Sequence, residues 1–256
     1  MTAAVEFNQV KKRFRGANKD AVNMVSFTVE AGELIAIVGT SGCGKTTLLK
    51  MINRIYEPDS GEIRLYGENV LEKDAVQLRR KIGYVIQQVG LFPHMTVQDN
   101  IAVVPKLLHW EKPRIKERVD ELLRLVNLEP DEFRRRYPVQ LSGGQQQRVG
   151  LARALAADPN VMLLDEPFGA IDAINRQSLQ NELLRIHQQD QKTYLFVTHD
   201  ISEAFKLGTR VLIMHEGTIQ QLASPGEIVR NPANDFVKSL LQSSSSVPDY
   251  SLGDGI

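Results

Sequence analysis

The residues best placed to do chemistry fall in a few short stretches. The first, 39-GTSGCGKTT-47, fits G-x-x-x-x-G-K-[ST] and stands between a buried-looking apolar run and a helical pattern. Gly39, Gly42 and Gly44 let the backbone curl around an anion, and the N–H groups of the loop, through Thr40, Ser41 and Cys43 to the helix start, point at it. Lys45 is expected to reach the β- and γ-phosphates of a nucleotide. Thr46 offers a hydroxyl to Mg²⁺, and Thr47 completes the loop. Cys43, close to Lys45 and to a helix start, is expected to have a lowered thiol pKa, although a small filler would serve there equally well.

At 161-VMLLDEP-167 an apolar strand ends in two carboxylates. Asp165 is expected to hold Mg²⁺, mostly through water, because that ion gives up its hydration shell reluctantly. Glu166 points to the other side of the strand axis, toward a water that would attack the terminal phosphate, as base or orienting group. In 194-YLFVTHD-200 a second buried strand presents His199, which can hydrogen-bond the γ-phosphate. Gln87, after 82-IGYVI-86, stands at a third strand end, within reach of Mg²⁺ or of the attacking water. His94, His109, His187 and His215 show no metal-ligand spacing. A further stretch, 141-LSGGQQQRVG-150, opens a helical run on two glycines, a costly choice unless something must approach the backbone closely.

The elements that position these residues follow from hydrophobic spacing. The continuous run 34-LIAIV-38, and similar ones at 82–86, 161–165, 194–197 and 210–214, suit strands of a sheet covered on both faces. Val25, Phe27 and Val29 alternate, as in a half-buried strand. Leu48, Leu49 and Ile52 mark a helix after the glycine-rich loop. From about Val97 to Ala157 no strand pattern occurs, and Ile115, Val119, Leu122, Leu123 and Val126 line one face of an amphipathic helix. The expected fold is α/β, a mixed sheet with a helical insert. The reading is one domain over 1–242, with a helical subdomain over about 90–157 and a disordered serine-rich tail at 243–256.

The formal net charge over 256 residues is zero, which argues against nucleic acid as the main partner. The clusters 79-RRK-81 and 134-RRR-136 lack interleaved stacking aromatics and read as solvated or intersubunit faces. A single cysteine makes no internal disulfide, and no apolar run approaches bilayer-spanning length. Work in a membrane would therefore go through a partner.

Together, 39-GTSGCGKT-46, Gln87, 141-LSGGQ-145, 161-VMLLDE-166, 169-GAID-172 and His199 resemble the nucleotide-binding subunits of ABC transporters, in order and in spacing, from Val5 to about Leu241. The resemblance implies a P-loop NTPase fold whose helical subdomain carries the LSGGQ signature, with ATP and Mg²⁺ bound. It implies a head-to-tail pair of cassettes in which Ser142, Gly143, Gly144 and Gln145 of one face the ATP held by the other. Ser142 would cap the helix, and the glycines would bring bare N–H groups to the γ-phosphate. Asp172 matches the position that communicates across the dimer, although 169-GAI-171 departs from the usual serine-alanine-leucine lead-in. Phe14 matches the aromatic that stacks on adenine.

A separate cassette with 92-FPHMTV-97 and 198-THDISEA-204 resembles those of bacterial importers, which work with permease subunits and a substrate-binding protein at the inner face of the cell membrane. The stretches 51-MINRIYEPDSGEI-63 and 166-EPFGAIDAINR-176 look most like the quaternary-amine group, which imports glycine betaine, choline or carnitine. The alternatives are an importer of another small solute (methionine, a polyamine, a sugar) and a soluble, non-transport ABC ATPase.

Overall fold

The computed structural model describes residues 2–87, 90–169, 171 and 173–243. In chain order the strands and helices are β1 Ala3–Lys12, β2 Val22–Glu30, β3 Leu34–Gly39, α1 Lys45–Ile52, β4 Ser60–Leu65, β5 Glu68–Asn69, α2 Ala75–Arg80 and β6 Ile82–Val85. There follow α3 Val97–Ile101, α4 Val103–Leu107, α5 Lys112–Leu125, α6 Pro130–Phe133, α7 Gly143–Leu155, β7 Val161–Asp165 and α8 Ala173–Asp190. The last are β8 Thr193–Val197, α9 Ile201–Leu207, β9 Arg210–His215, β10 Thr218–Ala223, α10 Pro225–Arg230 and α11 Asp235–Gln242. The chain forms two compact units, Met1–Ala75 with Thr193–Ile256, and Val76–Lys192.

In the first unit β3 lies between β8 and β9 and runs parallel to both, while β10 pairs antiparallel with β9. All six residues of β3 and all five of β8 are buried, as continuous apolar runs require. Gly39, the last residue of β3, passes the chain into the loop that α1 then closes. Leu48, Leu49 and Ile52 of α1 are fully buried, so its apolar face is fixed and its N-terminal end is left to the loop. A second sheet, ordered β2-β1-β4-β5, is antiparallel throughout. Val25, Phe27 and Val29 of β2 turn inward, and Phe7 stacks on Phe27 at 4.7 Å between ring centroids.

In the second unit β6 and β7 pair in parallel. Among the described residues from Val97 to Leu155 there are only helices and turns, where the sequence showed no strand pattern. Val119, Leu122 and Leu123 of α5 are buried and Val126 follows them inward, whereas Ile115 is only half-buried. The sequence cluster 134–136 is largely engaged: Arg134 pairs with Asp131 at 2.8 Å and Asp120 at 3.4 Å, and Arg136 with Glu132 at 2.7 Å. The expected tail lies outside the described residues except for Ser243. No helix of the described residues is long and apolar enough to cross a membrane.

Candidate functional site

The phosphate-loop residues are built into the first unit. Gly44 caps α1 with φ 106°, a conformation open to glycine and strained for other residues. A Cβ there would stand 2.2 Å from the carbonyl oxygen of Ala21, so the site excludes a side chain on space as well. Lys45 is buried, and its ammonium donates to the carbonyls of Gly39 at 2.8 Å and Thr40 at 3.0 Å. It thus spans the loop from inside, while Thr40, Ser41 and Gly42 form the exposed crest and Thr46 and Thr47 are half-buried behind it.

The expected low thiol pKa of Cys43 is not found. Cys43 is 3% exposed, and burial pushes its thiol pKa up, against the opposing pull of Lys45 at 3.9 Å. Sequence adjacency shows the charge but not the loss of water, and the loss of water prevails.

His199 stands exposed just beyond the end of β8. Its neighbours are pinned. The buried Thr198 hydroxyl donates to Glu203 Oε2 at 2.6 Å and accepts the Asp200 N–H at 3.0 Å. Asp200 in turn caps α9 by accepting from the N–H groups of Ser202 and Glu203. Phe14 is half-buried rather than core, edge-on to Tyr56 with ring centroids 5.0 Å apart. Tyr56 was not singled out from sequence. Its aromatic type in an irregular turn was the only signal available.

The second unit carries the carboxylates and the signature. Asp165 is the buried last residue of β7. Glu166 follows with φ 47°, in the left-handed region where non-glycine residues are uncommon. Its Oε2 accepts a hydrogen bond from Gln87 Nε2 at 2.8 Å. Two residues 79 positions apart in sequence, chosen separately as strand-end side chains, are thus in direct contact. Beyond Gln87, the loop at Phe92–Thr96 is held by the buried Asn100. Its amide donates to the carbonyls of Phe92, Met95 and Thr96, and its oxygen accepts the Phe92 N–H. Asn100 escaped the sequence reading because a polar residue gives no sign of burial until its partners are known.

The signature helix begins as expected. Ser142 Oγ accepts from Gln145 N at 3.3 Å, and Gln145 Oε1 accepts from Ser142 N at 2.9 Å, a reciprocal capping box. Gly143 is exposed, and a Cβ added to it would meet nothing within 4 Å. Asp172 lies outside the described residues.

Mg²⁺ takes hard oxygen donors. Thr46, Gln87 and Asp165 offer a hydroxyl, an amide carbonyl and a carboxylate, all hard oxygen donors. Among the described residues no group of three or more histidines, cysteines, aspartates or glutamates gathers as a softer or denser metal site.

A family model described as ABC transporter matches residues 22–169. The chain is 55% identical over 237 residues to the glycine betaine/carnitine/choline transport ATP-binding protein OpuCA of Bacillus subtilis (strain 168), covering 93% of this chain and 62% of that one. It is 53% identical over 253 residues to the choline transport ATP-binding protein OpuBA of the same organism, covering 96% of this chain and 65% of the relative. The chain therefore spans less than two thirds of the length of these curated relatives. Among solved structures, an ATP-binding cassette captured as a dimer in a post-hydrolysis state with ADP and Pi superimposes with a TM-score of 0.77 at 32% identity. That match covers 86% of this chain and 98% of the other.

Proposed function

This chain belongs to the ABC transporter family, and from that premise we propose that it hydrolyses ATP to power an importer of quaternary-amine solutes such as glycine betaine, choline or carnitine. The observation that carries the substrate class is its likeness, over nearly its whole length, to ATP-binding proteins named for transport of those solutes. Likeness to a cassette solved as a dimer supports action as a pair, and the absence of a spanning helix among the described residues fits a peripheral subunit docked on separate permease subunits. We place that permease in the cell membrane, fed from outside by a substrate-binding protein, with this chain on the inner face.

In this reading Phe14 stacks on adenine. Lys45 meets the β- and γ-phosphates while the N–H groups of the loop from Gly39 to Thr47 surround them. Thr46, Asp165 and Gln87 hold Mg²⁺, which when bound neutralises charge developing on the phosphates. Glu166 takes the proton of the attacking water or orients it, with Gln87 fixing the carboxylate. His199 donates to the terminal phosphate from the end of its strand. Ser142, Gly143, Gly144 and Gln145 of a second copy close over the nucleotide, and Asp172 links the two copies. The empty surroundings of Gly143 support this step. Neither its backbone nor its neighbours demand glycine, which fits a close approach from outside the chain.

The test is ATP hydrolysis by this chain assembled with its permease and binding protein, over a panel of solutes. Stimulation by glycine betaine, choline or carnitine, lost in Glu166→Gln, is the expected result. Stimulation by methionine, a polyamine or a sugar alone would overturn the substrate class and keep the motor. Activity driven by nucleic acid, with no solute response, would overturn both.

A further inference from the structure

A residue two places beyond the signature capping box has gone without a role. Gln147, in the second turn of α7, is only 3% exposed and lies among apolar side chains that include Leu151, Leu164 and Phe168. An amide in such surroundings is costly unless its donor is used. Here Nε2 donates to the carbonyl of Pro167 at 2.5 Å. Pro167 is itself buried and directly follows Glu166.

That bond falls on the turn that aims the carboxylate. Glu166 occupies the left-handed region, and such a backbone persists only where its surroundings over-determine it. Within the turn, the Glu166 carbonyl accepts the Gly169 N–H at 3.2 Å. Gln147 supplies a second restraint from the helix that starts at Ser142, and Gln87 restrains the carboxylate itself at 2.8 Å. Gln147 therefore joins the signature helix to the turn of Glu166 through a buried hydrogen bond.

We propose that Gln147 is a positioning residue for Glu166, setting the aim of the carboxylate together with the placement of the signature helix. The inference rests on the hydrolytic role assigned to Glu166 above. Loss of the donor lets the turn relax, and a carboxylate displaced by about 1 Å loses on the order of a hundredfold in rate. Binding of ATP, which draws on other residues, changes little.

The experiment uses the full chain with Mg-ATP and two variants. Gln147→Met keeps the size and helix propensity of the side chain but has no N–H donor. It is expected to lower kcat roughly 10- to 100-fold while KM for ATP moves by less than about threefold. A kcat within about twofold of the parent chain would overturn the proposal. Gln147→Glu supplies a pH readout that packing alone would not move. Protonated, the buried acid donates O–H to the Pro167 carbonyl, and ionised it cannot. Its kcat relative to the parent chain should therefore rise as pH falls from about 8.5 to about 6.5. A flat ratio overturns the proposal, and this ratio decides the matter if Gln147→Met fails to melt cooperatively. Glu166→Gln is run alongside. If it retains the parent kcat, the role of Glu166 fails and this inference with it. If it is inactive while the Gln147 variants are unaffected, only the inference fails.

Discussion

The phosphate loop and the start of the signature helix are both glycine-rich helix entrances, yet their glycines are there for different reasons. At Gly44 the chain itself leaves no choice: φ is 106° and a Cβ would overlap the Ala21 carbonyl at 2.2 Å. At Gly143 the chain asks for nothing. It is the first residue of α7, and an added Cβ meets open space. Glycine at a helix position where any residue would fit is a sacrifice of intrinsic stability. The first glycine is explained by the fold, whereas the second has no such explanation within the chain. Under the proposed function, one entrance holds this chain's own nucleotide and the other meets the nucleotide of a partner.

The largest effect that could break this contrast is at Gly44. Replacing it with alanine combines left-handed strain with overlap on a backbone oxygen that no side-chain rotation can relieve, which should cost about 2–5 kcal/mol. Urea unfolding of Gly44→Ala should show it as a lowered midpoint with an unchanged slope. A loss below about 1 kcal/mol would mean that the strand entry at Ala21 yields easily, and the loop glycine would then not be fixed by the fold.

Much of this was legible because it depends on local pattern. The continuous apolar runs at 34–38 and 161–165 became β3 and β7, buried throughout, since a strand covered on both faces has no polar position to spare. The loop at 39–47 and the capping box at Ser142 and Gln145 are likewise short-range chemistry. What escaped depends on distant partners. The strands β4, β5 and β10 are short or mixed in polarity and owe their form to pairing, β4 with β1, β5 with β4 and β10 with β9. Gln147 and Asn100 look like surface residues until Pro167 and the Phe92 loop come to meet them. The thiol of Cys43 was misjudged for the same reason: Lys45 is visible two residues away, whereas burial belongs to the whole unit.

A smaller effect sharpens the other side of the contrast. The capping box is the signature entrance's own contribution to stability, made of two bonds at 3.3 and 2.9 Å on an exposed turn. Ser142→Ala removes the acceptor for the Gln145 N–H and should cost about 1 kcal/mol, read as a lowered midpoint in thermal unfolding of the chain without nucleotide. A null effect would show that water satisfies this helix start unaided. The serine would then join Gly143 as a residue kept for what docks against it.

The smallest effect on the chain alone is the most informative. Gly143→Ala introduces a methyl group into open space at a residue whose φ is not positive, so the folded state should accept it. The unfolded chain loses freedom, and the helix start gains propensity. The substitution should therefore leave stability unchanged or raise it by a few tenths of a kcal/mol, up to about 1 kcal/mol. If the proposed function holds, ATP-driven pairing of two chains should nevertheless weaken, because the methyl group would occupy the space proposed for the partner's phosphate. Unfolding and light scattering on the same sample would separate the two readouts. Destabilisation comparable to that of Gly44→Ala would make Gly143 a demand of the fold, and the difference between the entrances would vanish. Intact pairing with unchanged stability would leave the glycine without its proposed reason, and would move the site of close approach to Gly144 or to the serine before it.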